Sequence, residues 1–442
     1  MGPQVDTLAP ESGFAQDVDV VVVGGGIVGT SAALWLARSG VSVALCEKGH
    51  IAGEQSSRNW GWVRKARRDP REIPLIIESL RMWERMNETV GAETGFRTTG
   101  IMFAVENDTD LARYETWLEY AKRFQIDARM ISSPEIEKLV PGGGQHWKAA
   151  LYCASDGRAE PQKAAPAVAA AARAAGARIF TDCAVRGLET AGGRVTAAVT
   201  ELGRISCRAV ILAGGAWSRR FLSDLDLRLP QLKVRASVMR TAPLEGAPTT
   251  ALWSSEFGFR KRLDGGYTVA DGNANIASIV PDSFRFLGDF MPALRTEFSS
   301  FRIRLDGRFL REWHEARPTP LDQASPYEKM RVLDPPPDRA TLRKSLRKLK
   351  ARFPAFAGAR MVQEWAGLID VTPDAVPVIS TVERLPGLVI ATGFSGHGFG
   401  IGPAAGRLAA DLATGATPIV DPTDFRFSRF SDGSKPRPMT SI

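Results

Sequence analysis

The stretch Val18-Asp19-Val20-Val21-Val22-Val23-Gly24-Gly25-Gly26-Ile27-Val28-Gly29-Thr30 decides the fold. Val18 to Val23 is almost wholly β-branched and apolar, as strands buried on both faces of a parallel sheet are. Gly24, Gly26 and Gly29 follow at once, and the Ala- and Leu-rich run Thr30 to Arg38 predicts a helix that stops at Gly40. A second apolar strand, Val41 to Cys46, ends on Glu47, 18 residues after Gly29. Strand, glycine turn, helix, strand and acid in this order make a βαβ unit with the spacing of a dinucleotide-binding turn. Gly24 permits the tight turn, Gly26 lets the backbone approach a pyrophosphate at the helix N-terminus, and Gly29 lets helix and strand pack closely. Glu47 is placed to accept hydrogen bonds from an adenosine ribose.

Moving outward, the α/β character recurs. Gln162 to Ala175 reads as an Ala-rich helix, Ala177 to Thr181 and Val185 to Leu188 as strands, and Arg208 to Ala213 as a strand running into Gly214, Gly215, Ala216 and Trp217. Near the C-terminus, strand Leu388 to Thr392 leads into Gly393, Gly396, Gly398, Gly400 and Gly402 and then a helix over Ala404 to Thr414. Between these lie less regular parts, with an amphipathic helix at Leu75 to Met86 and a strand at Tyr267 to Ala270. One folded layer is interrupted by another. The expected division is a flexible N-terminus at 1–17, a discontinuous dinucleotide domain at 18–80, 150–225 and 355–415, a second domain at 81–149 and 226–354, and a tail at 416–442.

Composition bounds the class. The 442 residues are 44% hydrophobic and 24% charged, enough for a sizeable core and unlike a disordered chain. Lys and Arg exceed Asp and Glu by 57 to 49, a mild excess that favours anionic small molecules or surfaces without demanding them. Arg339 to Arg352 concentrates part of that charge, with leucines at helical spacing; an exposed amphipathic helix is the simpler reading and a nucleic-acid face the sharper one. Cys46, Cys153, Cys183 and Cys207 form no C-x-x-C pair and no disulfide framework, and His50, His146 and His314 have no metal-ligand spacing, so no metal is expected. The early sequence shows neither a signal peptide nor a membrane span, and reduced thiols fit a cytoplasmic protein.

With the glycine turn, Glu47 and the run Gly393-Phe394-Ser395-Gly396-His397-Gly398-Phe399 in place, the chain resembles the FAD-dependent D-amino acid oxidase superfamily. Within it the likeness is to sarcosine oxidase, glycine oxidase and D-amino acid dehydrogenase-like flavoenzymes, over roughly 18 to 415. The resemblance implies an α/β fold: a Rossmann-type, glutathione-reductase-like FAD domain and an α+β substrate domain with a mainly antiparallel sheet, the isoalloxazine at their junction. It implies oxidation of the C–N bond of an amino acid or N-substituted amino acid by hydride transfer to flavin N5, giving an imine that water hydrolyses. Oxygen or a quinone-type acceptor would then reoxidise the flavin.

The resemblance also assigns residues. Ile27, Val28, Lys48, Val185, Ala213, Gly214 and Trp217 join Gly24, Gly26, Gly29 and Glu47 as expected FAD contacts. Ser56, Ser57, Asn59 and Gly61 follow the ribose acid in the stretch that reaches the flavin, and Gly393, Gly396, His397 and Gly398 come from the C-terminal run. Gly61-Trp62-Val63-Arg64 is similar to the sarcosine oxidase pattern R-I-I-R, which places Arg64 on the substrate carboxylate, with Arg260 the next candidate. A guanidinium fork suits that role because it binds a carboxylate bidentately and stays charged when buried. His397 is the candidate base, against a packing role beside the flavin. Trp60, Trp62 and Trp253 are candidates for the substrate cavity walls, against core packing.

Trp365-Ala366-Gly367-Leu368-Ile369-Asp370-Val371-Thr372-Pro373-Asp374 looks like the family's W-A-G-L-x-x-x-T-P-D signature, with departures. Ile369 stands where glycine oxidase-like members carry an Arg, and Gly367 where monomeric sarcosine oxidase carries its flavin-linking Cys, so FAD is expected to be non-covalent. The oxygen-activating lysine of that enzyme falls on Thr268, which leaves oxidase and dehydrogenase both open. Asp370 to Ala375 is similar to the β subunit of heterotetrameric sarcosine oxidase, which raises a flavin subunit of a larger complex as an alternative. A nucleic-acid-modifying flavoprotein is the other.

Overall fold

The computed structural model describes residues 2–297, 301–435 and 437–439. The valines predicted to be buried are so up to Val22, with Val23 half-buried: β1 (Val20–Val23) runs between β2 (Val43–Cys46) and Ala209–Leu212, parallel to both. The full order is Val378–Thr381, Leu388–Thr392, Ala209–Leu212, β1, β2, Arg178–Phe180, and only the edge strand Val378–Thr381 is antiparallel. Val20 and Val22 pack under α1 (Ile27–Arg38) and the helices Pro161–Ala174 and Gly398–Thr414. Val21 points the other way, with Val185, Leu188, Val195 and Ile205 of a three-stranded antiparallel sheet.

The C-terminal helix starts at Gly398, ahead of the expected Ala404, so part of the glycine run is helical. Its glycines serve packing. A Cβ on Gly406 would stand 2.5 Å from the Val28 carbonyl oxygen, so this helix lies against α1 at a separation a side chain would prevent.

The second sheet has ten strands and is mainly antiparallel. Leu232–Thr241 is its spine, paired along its length with Met361–Val371 and in part with Tyr267–Ala270 and Asn275–Ser278. Gly258–Lys261, Ala251–Trp253, Ile101–Ala104, Ala149–Cys153 and Ala128–Ser132 complete it on one side. The expected limits at 150 and 355 cut across this sheet, because Ala149–Cys153 and Met361–Val371 belong to it. Their membership is fixed by pairing with strands far away in the chain, which local sequence does not encode. A short sheet joins the layers: β3 (Trp62–Val63) pairs with Gly157–Arg158, as does Arg97–Thr98.

Residues 2–17, expected to be flexible, lie against the body. Val5 and Ala15 are buried, the Asp6 N–H donates to Gln162 at 3.2 Å, and Glu11 pairs with Arg173 and Arg178. Most of these partners come from 162–206, with Gln363 donating to the Gly2 carbonyl, so the polar composition that suggested mobility is spent on long-range pairs. The basic helix Arg339–Arg352 has its expected bounds; Leu342 and Leu349 are buried, and Lys348 and Arg352 pair with Glu256 at 2.6 and 2.9 Å. The four cysteines are buried and free. Among the described residues, no helix is long and apolar enough to cross a membrane and no group of His, Cys, Asp and Glu is built to hold a metal ion.

Candidate cofactor cavity and carboxylate site

The glycine turn is set by what a side chain would hit. Gly24 has φ +108°, and a Cβ on it would stand 2.5 Å from the Ala213 carbonyl oxygen; one on Gly29 would stand 2.0 Å from that of Gly24. The Ile27 N–H, at the start of α1, donates to Ser56 Oγ at 2.9 Å, which brings the segment after β2 against the helix N-terminus. Glu47 follows β2 directly and accepts the Gly25 N–H at 2.7 Å and the Gly49 N–H at 2.8 Å. Burial pushes its carboxyl up from the ordinary range, more than Lys48 and these bonds pull it down.

These groups open onto one long cavity with about 1220 Å³ of atom-free space, mouth included. Gly24, Gly26, Ile27, Val28, Glu47 and Lys48 are among its walls. Ser56, Asn59, Val185, Ala213, Gly214 and Trp217 continue it, and Gly396 and Gly398 reach it from the C-terminal run. Lys48 Nζ is held by Glu54 at 2.7 Å and lies 4.8 Å from the Trp217 ring centroid, so its charge is already matched.

Several expected contacts stand outside these walls. Gly29 is the packing glycine behind the turn, and the Ser57 hydroxyl donates to the Glu54 carbonyl. Gly61 packs between the Ala159 carbonyl and Arg260, Gly393 against Thr372, and Gly367 turns toward Gln55, whose Oε1 would be 1.9 Å from a Cβ there. Conversely Gln55, Tyr327, Ile369, Asp370, Phe394 and Phe399 line the cavity and were not anticipated as contacts. Asp370 and Ile369 lie inside the W-A-G-L-type run, which is the signal that could have found them; Tyr327 lies in a stretch with no motif. Asp370 Oδ2 accepts the Gly393 N–H at 2.8 Å and the Phe394 N–H at 3.3 Å, and burial pushes its carboxyl up to about 6.

Arg64 follows β3 at the layer junction. Its guanidinium donates to the Ala66 carbonyl and lies 5.4 Å from the Phe103 ring centroid. It forms no ion pair with a carboxylate among the described residues. Burial pushes it well below its ordinary value, and Arg68 and Arg67 add to that, while Asp156 and Glu72 oppose. A guanidinium keeps its proton under such stress, so the arrangement is a desolvated cation that a bound anion would relieve. Around it, Trp60 and Trp62 meet edge to face at 5.1 Å, Trp62 and Phe103 at 5.9 Å, and Trp253 lies 6.2 Å from Phe103.

Arg260 is different. It is 1% exposed and forms a two-pronged pair with Glu160, at 2.7 and 3.2 Å, with its Nε on the Trp60 carbonyl. Its fork is already filled by a buried carboxylate, so it offers nothing to a second one. Nor is His397 a wall of the cavity: its ring Nδ1 lies 3.5 Å from Glu72 in a buried site. Burial and the neighbouring Arg68 push the imidazole down to about 4, against the pull of Glu72, which leaves it neutral. A proton acceptor poised for neutral pH is not what these surroundings make.

A side-chain-free turn at a helix N-terminus, an acid at the end of the second strand and a long cavity running from them toward the second sheet fit a dinucleotide. The family model for FAD dependent oxidoreductases matches residues 19–412. The chain belongs to that family. FAD is its cofactor, and it is an enzyme that oxidises the C–N bond of amino acids or amines. Glycine oxidase of Pseudomonas aeruginosa is 26% identical over 417 residues, covering 92% of this chain and 97% of its own. The sarcosine oxidase β subunit of Rhodobacter capsulatus is 22% identical, over 94% of this chain and 89% of its own. Among solved structures, the L-amino acid deaminase from Proteus myxofaciens in complex with anthranilate superposes with a TM-score of 0.93 at 34% identity, over 97% of each chain.

Proposed function

We propose that this flavoenzyme oxidises the α C–N bond of L-amino acids with apolar or aromatic side chains, Arg64 holding the α-carboxylate. The observation that carries this reading is the Arg64 guanidinium, half-buried at the junction of the two layers without a carboxylate of its own among the described residues. When bound, FAD supplies the electron acceptor for the oxidation. The chain's own residues do the rest. Arg64 fixes the substrate by its carboxylate, and the aromatic side chains around it exclude water and strengthen that contact. Asp156, behind the loop, holds its backbone in place.

The preference for apolar side chains follows from the face the second sheet turns toward the cofactor layer. Ala236 and Gly367 are directly paired, as are Val238 and Trp365, and Trp60 packs on the buried cluster of Val238, Ala270 and Trp365. At these positions the face is apolar, and the buried cations beside it, Arg260 and Arg262, both face Glu160. The L configuration is supported by the Proteus deaminase, whose bound anthranilate is itself an aromatic carboxylate. The product would be an imine, hydrolysed to a 2-oxo acid and ammonium. Anaerobic mixing with D-, L- and N-methyl amino acids while following flavin bleaching tests the reading. Fast reduction by L-leucine or L-phenylalanine is expected. Reduction only by glycine, sarcosine or D-amino acids would overturn it.

A further inference from the structure

Four residues beyond Arg64 stands a buried arginine, Arg68, 2% exposed. Its donors go to three places. Nε donates to the Arg64 carbonyl at 3.1 Å, Nη2 to the His397 carbonyl at 3.2 Å, and Nη1 to Glu72 Oε2 at 3.4 Å. One guanidinium therefore ties the backbone of the carboxylate-anchoring residue to the backbone of the residue between Gly396 and Gly398, both of which are walls of the cofactor cavity.

The surroundings hold Arg68 in that position. Glu72 is fully buried, and its Oε2 serves Arg68 and faces His397 Nδ1 at 3.5 Å. Burial pushes the Glu72 carboxyl up, but His397, Arg68 and Arg64 outweigh it and keep the carboxyl ionised below its usual range. Trp117 Nε1 donates to the Arg68 carbonyl at 2.8 Å. Across the contact, Ser79 and Trp83 of α2 (Ile73–Glu84) both donate to the Gly400 carbonyl, at 2.7 and 2.9 Å, so the start of the C-terminal helix is pinned from the same side.

We propose that Arg68 is a positioning residue for the oxidation: it sets the distance between the carboxylate anchor at Arg64 and the cofactor wall at Gly396–Phe399. The proposal rests on the reading of Arg64 as that anchor. Arg68 itself touches neither substrate nor cofactor. The planar fork is what the task requires, because the three acceptors are met from three separated nitrogens, Nε, Nη1 and Nη2, whereas a lysine would have to reach all three from one point. A displacement of the anchor by about 1 Å costs up to roughly a hundredfold in such sites.

The test compares holoenzymes carrying Arg68→Lys, Arg68→Gln and Arg64→Gln. Readouts are FAD content, thermal midpoint, the dissociation constant of benzoate from its perturbation of the flavin spectrum, and kcat and KM for L-phenylalanine. Arg68→Lys keeps the positive charge near Arg64, so it separates geometry from long-range attraction. It is expected to retain FAD and yet bind benzoate roughly 10- to 100-fold more weakly, with KM rising by a similar factor. A lysine variant with FAD and benzoate affinity both as in wild type overturns the proposal. So does one whose only change is a lower midpoint, since that is the behaviour of a purely structural arginine. If Arg68→Gln does not fold, Glu72→Gln, which frees the guanidinium without removing it, is expected to weaken benzoate in the same direction; unchanged benzoate affinity there counts against the proposal. Benzoate binding unaffected by Arg64→Gln would defeat the anchor reading and this proposal with it, whereas loss in Arg64→Gln alone defeats only the proposal.

Discussion

The Asp156 carboxylate accepts the backbone N–H of Lys65 at 2.7 Å, and through that bond a buried acid from the second layer fixes the loop that carries Arg64. Its other oxygen accepts the Ala66 N–H at 3.2 Å, and Ala66 is the residue whose carbonyl receives the Arg64 guanidinium. The acid is thus bound to the loop's amides and not to the guanidinium. An ion pair there would have satisfied Arg64 and closed it to substrate. The loop instead delivers a cation that is oriented but unneutralised, an arrangement worth maintaining only if an anion arrives from outside.

Arg64→Ala is therefore expected to remove a charge-assisted contact worth about 2–4 kcal/mol in a desolvated site. The second-order rate constant for flavin reduction by carboxylate substrates should fall roughly 30- to 1,000-fold. FAD content should stay at the wild-type level. Arg64→Lys should recover part of the loss, because an ammonium cannot reproduce the bidentate fork. Stopped-flow reduction under anaerobic conditions measures both, and a wild-type rate in the alanine variant would remove the anchor.

The cofactor turn gives a sharper steric expectation. A methyl group on Gly29 would sit 2.0 Å from the Gly24 carbonyl oxygen, a backbone atom that cannot swing aside. Gly29→Ala should purify with little or no FAD, or fail to fold. Gly26→Val should also lose FAD, for a different reason: a Cβ there meets only Ser56 Oγ, at 3.0 Å, so the chain can fold while the branched side chain fills the approach to the pyrophosphate. Flavin absorbance per polypeptide, with circular dichroism to judge folding, separates the two.

The contrast between these two sites explains what the sequence could reveal. The turn is local: its strand, glycines, helix and acid lie within about thirty residues, and each has a steric reason that acts over a few bonds. The carboxylate site is assembled from distant pieces. Arg64 was legible through its place after Trp62 and Val63, yet its isolation from carboxylates depends on Asp156 bonding elsewhere. Arg260, the next candidate, has its fork filled by Glu160, 100 positions away, which its own sequence surroundings do not show. Likewise Tyr327 reaches the cavity from a stretch with no motif, through packing that no local pattern announces, and residues 2–17 are held by partners that their own composition does not hint at.

Non-covalent attachment follows from the same local geometry. Gly367 carries no nucleophile, and Gln55 Oε1 occupies the space a side chain would take, 1.9 Å from its Cβ position. Acid precipitation should release all the yellow colour into the supernatant. Colour retained in the pellet would require a linkage through some other residue and a different course for the cofactor.

The last prediction concerns His397 and pH. Its folded-state value, about 4, lies below the ordinary 6.5 of the unfolded chain, because burial and Arg68 disfavour the imidazolium. Between those values the unfolded state binds a proton that the folded state refuses, so stability falls as pH drops from 6.5 toward 4. By ~pH 5 this amounts to on the order of 2 kcal/mol. Asp156 and Asp370, both pushed up to about 6 by burial, act with the opposite sign, since their protonation favours the folded state as pH falls through the same range. The wild-type curve therefore mixes the two effects, and a variant isolates one of them. His397→Asn keeps the backbone carbonyl that Arg68 uses and removes the titrating ring. With FAD saturating, its thermal midpoint should fall less than that of the wild type between ~pH 7.5 and ~pH 5. Equal losses in the two proteins would mean that the buried ring takes up its proton as readily as an exposed one, and that Glu72 holds an imidazolium rather than a neutral imidazole.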